Sequence, residues 1–133
     1  MYELSPPDKV FAFDADKLKA ADVTFWTAWR GDVLVGCGAI KELSATEGEI
    51  KSMRTPTTLR RTGAGRAMLN HIIEVARVRG YRVLYLETGC QPAFVPAQTL
   101  YSSAGFNRCG PFGSYRENGN SVFMSLSLPQ REA

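Results

Sequence analysis

The sequence predicts an α/β fold with a mixed sheet, formed by a single domain over residues 1–133. Three observations lead to this prediction. A strand, a glycine-containing loop and an amphipathic helix follow one another between Glu49 and Arg79. The segment Arg82–Thr88 is nearly continuous in apolar residues, as in an inner strand of a sheet. The segment Ser121–Leu128 alternates between apolar and polar residues, as in a half-buried strand.

Composition and charge favour an ordinary soluble globular protein. Its 133 residues suffice for one core that buries about two thirds of the unfolded surface. Hydrophobic residues make up 44% of the sequence, and the formal net charge of +3 is too small to indicate nucleic-acid binding. No apolar run reaches the roughly 18 residues of a membrane span, so we expect a cytoplasmic protein. Cys37, Cys90 and Cys109 lack metal-ligand spacing, which predicts free thiols and no metal site.

The first third of the chain predicts a strand hairpin. Irregular sequence at Ser5–Pro7 precedes a short helix at Asp14–Ala21. The β-prone segment Val23–Arg30 and its partner strand Val33–Ile40 flank a turn at Gly31–Asp32.

The next strand follows a polar turn at Lys41–Gly48 and leads into the amphipathic helix. Residues Glu49–Thr55 alternate in character, and Pro56 ends the strand because proline has no amide hydrogen to donate. A helix is predicted over Gly63–Arg79, with Gly80 as its C-terminal stop. Its small and apolar residues recur at helical spacing, together with the only histidine: Ala64, Ala67, Met68, His71, Ile72, Val75 and Ala76.

The loop between this strand and helix predicts a pyrophosphate-binding site. Free amides at a helix N-terminus, with the positive end of the helix dipole behind them, attract phosphate. Gly63 and Gly65 let a bulky anion approach the backbone closely. Three arginines add forked cationic donors for phosphate oxygens. The predicted binding segment consists of Arg60, Arg61, Thr62, Gly63, Ala64, Gly65 and Arg66.

Two other phosphate-binding patterns fit this loop less well. A P-loop requires lysine followed by serine or threonine after its last glycine, where this sequence has Arg66 and Ala67. A dinucleotide fingerprint requires glycine or alanine in place of Met68, although Glu87 lies where a ribose-binding acid is expected. The dinucleotide alternative therefore stays open. In the plainest interpretation, the glycines only end a loop and the arginines form a solvated surface.

The last third of the chain predicts a helix and two strands. Pro96 suits the first turn of a helix that continues over Ala97–Ala104 until Gly105. One strand starts over Phe106–Cys109, and Ser121–Leu128 forms the last strand after a loop.

Two motifs carry a resemblance to a known family. The first is Arg-x-x-Gly-x-Gly at Arg60–Gly65, and the second is Leu-Tyr-x-x-x-Gly-Phe at Leu100–Phe106. With both motifs, the sequence resembles the GNAT superfamily of acetyl-CoA-dependent N-acetyltransferases. The order of elements over residues 23–128 is similar to that family from its second strand to its seventh. Few residues remain for the family's first strand, so the resemblance implies a fold shortened at the N-terminus, with that strand missing or donated differently.

The resemblance implies direct transfer of an acetyl group from acetyl-CoA within a ternary complex. The strands holding Ile50–Arg54 and Val83–Glu87 would splay apart around the pantetheine arm, which backbone groups near Met53 and Thr55 would hold. An amide near Met53 would stabilise the oxyanion, and Tyr101 would protonate the departing thiolate. Without the motif, Tyr101 would be assigned to the hydrophobic core.

The general base follows less directly from the sequence. An amine with a pKa near about 10 must lose a proton before it attacks. Glu49, Glu47 and Glu87 are the candidates, and Glu87 is slightly favoured because the ends of parallel strands open into crevices. Otherwise each is a surface or hydrogen-bonded carboxylate. His71 is expected to be structural, and Cys90 has no histidine placed to activate it as a nucleophile.

The acceptor is predicted to be the primary amine of a small molecule. Protein or peptide N-acetylation is a second hypothesis, but the sequence offers no acidic cluster for a basic chain. A non-catalytic acetyl-CoA-binding module is a third, and it would not need Tyr101. The resemblance also suggests a homodimer formed through Ser121–Leu128. Four aromatic residues are candidate pocket walls: Trp26, Phe94, Phe112 and Tyr115.

Overall fold

The computed structural model describes residues 3–5, 23–54 and 63–129. Within these ranges a seven-stranded mixed sheet carries two α-helices, which confirms the predicted fold class. The strands are β1 (Glu3–Ser5), β2 (Val23–Arg30), β3 (Val33–Ser44), β4 (Glu47–Arg54), β5 (Val83–Gly89), β6 (Asn107–Cys109) and β7 (Ser121–Ser127). The helices are α1 (Ala64–Val78) and α2 (Val95–Ser103), the latter preceded by a 3-10 turn at Pro92–Phe94.

The strands lie in the order β1-β2-β3-β4-β5-β7-β6. Of these neighbours, β4 and β5 are parallel and the other pairs are antiparallel. A parallel connection needs a crossover, and α1 supplies it between β4 and β5. The helix predicted at Asp14–Ala21 lies outside the described residues.

The prediction that the first strand is missing was wrong. β1 pairs with β2 in antiparallel register, and Leu4 lies opposite Ala28. A strand of three residues is too short to show a periodic pattern, and its backbone needs only the free edge of β2 to form hydrogen bonds.

The polar turn predicted at Lys41–Gly48 is also shorter than expected. β3 continues to Ser44, so only Ala45 and Thr46 remain between the strands. The polar residues are held in a ladder with β4, in which Lys41 lies opposite Glu49. Opposite charges across a ladder stabilise the pairing, and this tertiary contact outweighs the local preference for a turn.

The larger hydrophobic cluster lies on one face of the sheet, under both helices. α1 begins after Gly63, whose φ is 92°, and ends before Gly80, whose φ is 84°. It lies so close to β3 that a Cβ atom on Gly38 would be 2.9 Å from Cδ1 of Ile72. The core includes residues from both helices and from the inner strands: Ile40, Ile50, Met68, Leu69, Ile72, Leu84, Leu86, Tyr101, Phe106 and Met124.

The opposite face of the sheet carries acidic side chains, and we call it the carboxylate face. The ladder places Glu49 beside Tyr85, and alternation along each strand puts Glu47 and Glu87 on the same side. The connection between β6 and β7 lies against this face with the segment Phe112–Tyr115, which we call the aromatic arm.

Candidate active site

The parallel pair β4–β5 is closed along one half and open along the other. The ladder runs from Glu47 opposite Val83 to Ile50 opposite Leu86, and we call these residues the closed half. Beyond that point each strand stays paired with its outer neighbour, β4 with β3 and β5 with β7. The open half therefore consists of Lys51–Arg54 and Glu87–Gly89, with no ladder between them in the described part of the chain.

A β-bulge accounts for this opening. Lys51 lies opposite Ala39 and Arg54 lies opposite Cys37, so three residue steps in β4 match two steps in β3. The extra residue falls at positions 52–53. A bulge bends its strand and leaves one residue outside the ladder, so β4 turns away from β5 and the backbone near Met53 is available to a ligand.

Glu49 is a buried carboxylate at the end of the closed half. Its side chain is only 4% exposed, and Tyr115 donates a hydrogen bond of 2.6 Å to its Oε2 atom. Lys51 Nζ lies 3.9 Å from the same oxygen. Burial raises the pKa of Glu49, and the negative charge of Glu87 adds to the rise, while Tyr115, Lys51 and Lys41 oppose it. A carboxylate with a raised pKa accepts a proton more readily than a surface glutamate.

The other two carboxylates are less suited to the role of base. Glu87 is exposed, and it accepts a hydrogen bond from the Ser121 hydroxyl. Glu47 accepts hydrogen bonds from Tyr85 at 3.2 Å and from Ser44 at 3.3 Å. The geometry thus favours Glu49, whereas the sequence slightly favoured Glu87.

Tyr101 lies in the core on the helix-covered face, on the other side of the sheet from Glu49. The residue is 7% exposed, and within the described part of the chain its hydroxyl has no hydrogen-bond partner. Burial raises the pKa of Tyr101 to about 12, so the phenol stays protonated at neutral pH. One turn earlier in α2, Gln98 donates a hydrogen bond of 2.7 Å to the carbonyl of Gly89, which fixes α2 against the open half.

The N-terminus of α1 meets the end of α2. Arg66 donates a hydrogen bond of 2.5 Å to the Ser103 hydroxyl, so the first turn of α1 lies beside the Leu100–Phe106 motif. The first turn of α1 contains no acidic residue, and no side chain of the described residues caps it. The amides of this first turn therefore keep the partial positive charge of the helix N-terminus. Four of the predicted cofactor-binding residues lie outside the described residues: Thr55, Arg60, Arg61 and Thr62.

Three other residues considered in the sequence analysis make contacts within the protein. His71 packs edge-on against Trp26 with ring centroids 5.0 Å apart, as expected for a packed side chain. Cys90 is exposed, and its thiol donates to the carbonyl of Gly119. Phe94 is 42% exposed and lies over Gly89, where a Cβ atom would clash with its ring at 2.4 Å.

A cavity of about 440 Å³ lies on the carboxylate face beside the aromatic arm, and Glu47, Tyr85 and Cys109 contribute to its lining. Among the described residues, His, Cys, Asp and Glu side chains form no group of three that would hold a metal ion. Neither α1 nor α2 is long and apolar enough to cross a membrane, which holds for every helix in the described ranges.

Parted parallel strands with an uncapped helix N-terminus near them are the arrangement that the family resemblance implies for an acyl-CoA site. Comparison with known proteins agrees. Residues 1–106 match the model of the acetyltransferase (GNAT) family, and the chain belongs to this family.

The similar proteins include two bacterial acetyltransferases and one solved structure. The uncharacterised N-acetyltransferase YsnE of Bacillus subtilis is 51% identical, covering 94% of this chain and 83% of that protein. The IAA acetyltransferase of Azospirillum brasilense is 37% identical, covering 95% of this chain and 82% of that protein. A structure from Klebsiella pneumoniae, described as an acyl-CoA N-acyltransferase, superimposes with a TM-score of 0.82 at 25% identity over 96% of this chain and 98% of that one.

The protein is therefore an acetyl-CoA-dependent acetyltransferase. Acetyl-CoA is the co-substrate of the family. The family assignment excludes the dinucleotide-dependent oxidoreductase that the glycine-containing loop left open.

Proposed function

We propose that the enzyme acetylates the primary amine of a small molecule by direct transfer within a ternary complex. The observation that supports this most is the placement of two proton-transfer groups around the open half. Glu49 lies just before the open half on the carboxylate face, and the helix that carries Tyr101 is fixed to Gly89 at the end of the open half, on the opposite face. An acyl group held between β4 and β5 would have a base on one side and an acid on the other.

Backbone groups of the open half would hold the co-substrate. The pantetheine arm contains amides, which can pair with strand groups that have no partner strand on that side. The amides of α1 and the side chain of Arg66 would bind its phosphates. The co-substrate supplies the activated acetyl group.

Glu49 would receive the proton that the attacking ammonium group must lose. Its burial supports this role, because a carboxylate in a poorly solvated site holds a proton better than one in water. The exposed carboxylate of Glu87 would attract the cationic amine to the same face.

An amide near Met53 would donate to the carbonyl oxygen as negative charge develops on it. Tyr101 would donate its proton to the sulfur as the carbon–sulfur bond breaks and the carbon–nitrogen bond forms. A phenol with a pKa of about 12 and no internal hydrogen-bond partner among the described residues is suited to donate to a ligand.

A small acceptor is supported by the name of the Azospirillum relative, which refers to IAA, a small molecule.

The test is an amine screen that measures thiol release from acetyl-CoA. The amines are amino acids, diamines, aminoglycosides and a lysine-containing peptide. We expect turnover with at least one small amine and none with the peptide. Turnover confined to the peptide would replace small-molecule acetylation with protein acetylation, and acetyl-CoA binding by calorimetry without any turnover would support a non-catalytic module.

A further inference from the structure

The hydrogen bond between Tyr115 and Glu49 joins residues that are 66 positions apart. Tyr115 belongs to the aromatic arm between β6 and β7, and Glu49 belongs to β4. At 2.6 Å the bond is short, as expected for a hydroxyl that donates to a carboxylate. Neither sequence motif includes Tyr115.

The aromatic arm is fixed on the sheet by ring contacts. Phe112 stacks on Tyr85 with centroids 4.6 Å apart and meets Phe123 edge-on at 5.8 Å. The Tyr115 ring packs on Phe123 at 5.6 Å, and its backbone N–H donates to the carbonyl of Phe112 at 3.0 Å. Such contacts leave the Tyr115 hydroxyl little freedom to move away from Glu49.

Charged side chains lie near Glu49 on its own strand and on both neighbouring strands. Lys41 of β3 and Lys51 of β4 are cationic, and Glu87 of β5 is anionic. Among the described residues, however, only Tyr115 donates a hydrogen bond to the Glu49 carboxylate, since Lys51 Nζ at 3.9 Å is beyond hydrogen-bond distance.

The Tyr115 hydroxyl stays protonated at neutral pH. Burial raises the pKa of Tyr115 well above its ordinary value, and the Glu49 carboxylate raises it further. The hydroxyl therefore remains a donor whenever Glu49 is ionised.

We propose that Tyr115 is a positioning residue for Glu49: its hydroxyl fixes Oε2, so that Oε1 is presented to the proton of the acceptor amine. The proposal rests on the proposed function, in which Glu49 is the base. Without the hydroxyl, the carboxylate would rotate toward Lys51 or take up a proton, and either change would remove the base from its working state.

The experiment compares Tyr115→Phe with Tyr85→Phe. The control removes a hydroxyl from the same aromatic cluster, one that donates to Glu47 instead of Glu49. Two readouts are needed: carbon-13 NMR titration of the glutamate carboxyl carbons, with the Glu49 signal assigned from Glu49→Gln, and pH profiles of kcat and kcat/KM for the amine found in the screen.

We expect the pKa of Glu49 to rise in Tyr115→Phe and to stay unchanged in Tyr85→Phe. The acid limb of kcat/KM should move to higher pH, and kcat at neutral pH should fall about tenfold with little change in KM. In a Glu49→Gln background, Tyr115→Phe should cause no further loss of kcat, because the two residues act through one contact.

An unchanged Glu49 titration in Tyr115→Phe would overturn the proposal, and so would an equal effect of Tyr85→Phe. The NMR titration does not depend on activity. If the wild type acetylates no amine, the proposed function fails, and the titration still decides whether Tyr115 controls the ionisation of Glu49.

Discussion

In the closed half of the β4–β5 pair, β4 lies between two partner strands, whereas in the open half it keeps only β3. The closed half has an aromatic arm against one face and the hydrophobic core under the other. The open half has an exposed glutamate, Glu87, and a bulged backbone near Met53.

This difference separates two requirements of catalysis. The closed half holds a carboxylate in a fixed, poorly solvated position, which raises its pKa. The open half leaves backbone groups for a ligand instead of a strand. In the proposed mechanism, the closed half positions the base, and the bulge at positions 52–53 opens the slot for the co-substrate.

Removal of the base from the closed half should have the largest effect. Glu49→Gln keeps an acceptor for Tyr115 but cannot take a proton, so we expect kcat to fall about 10³-fold with unchanged acetyl-CoA affinity. Steady-state kinetics and calorimetry measure the two quantities. Glu87→Gln is the comparison, because Glu87 is the exposed alternative base. A larger loss of kcat in Glu87→Gln would transfer the role of base to the open half.

Removal of the acid beside the open half should have the next largest effect. Tyr101→Phe deletes a hydroxyl without an internal partner among the described residues, so stability should be preserved while kcat falls about 10²-fold. Because the pKa of Tyr101 is about 12, ionisation of this group should not reduce the wild-type rate at any pH well below 12. Wild-type kcat in Tyr101→Phe would show that water protonates the thiolate.

A negative charge at the N-terminus of α1 should weaken binding of the co-substrate without affecting the base. Gly63→Asp places a carboxylate at the positive end of the helix, where it competes with phosphate, and we expect about tenfold weaker acetyl-CoA binding by calorimetry. Gly80→Asp is matched to it, since both glycines have positive φ, 92° and 84°, at opposite ends of α1. Equal weakening in both variants would mean that helix strain, not the position of the charge, causes the loss.

Glu49 and His71 have pKa values that burial shifts, and they should make stability depend on pH in opposite directions; these effects should be the smallest. The pKa of Glu49 is raised, so the native state binds its proton more tightly, and stability is lost as pH rises above 4.5 toward the native pKa. Glu49→Gln should therefore raise the melting temperature at pH 8. No increase at pH 8 would mean that burial of the ionised carboxylate costs no stability.

The pKa of His71 is lowered by burial, so stability is lost as pH falls below 6.5 toward the native pKa. His71→Gln should have a flatter melting profile between pH 7 and pH 5. An identical slope in wild type and variant would assign the acid sensitivity to other groups.

The sequence predicted the elements whose signals are local. The alternation in Ser121–Leu128, the helical spacing in α1 and the glycine stop at Gly80 all correspond to the observed structure. The splaying of β4 and β5 followed from the family resemblance, and the physical cause, a bulge opposite Cys37 and Ala39, was not visible in the sequence.

Contacts between distant segments could not be predicted. The polar end of β3 forms a strand because β4 pairs with it, and β1 needs only the edge of β2. The ranking of Glu87 over Glu49 depended on strand position alone, since the burial of Glu49 is produced by the distant aromatic arm. A better signal was available in the aromatic residues of that loop, Phe112 and Tyr115, which are unusual in a segment exposed to solvent.

Hydrogen exchange of the backbone amides, measured by mass spectrometry with and without saturating acetyl-CoA, tests the central claim most directly. The open half should be the co-substrate site, so exchange should slow at Lys51–Arg54 and in the first turn of α1. The closed half, already protected by its ladder, should change little. Unchanged exchange at Lys51–Arg54 upon saturation, with protection at the cavity lined by Glu47 and Cys109 instead, would contradict it.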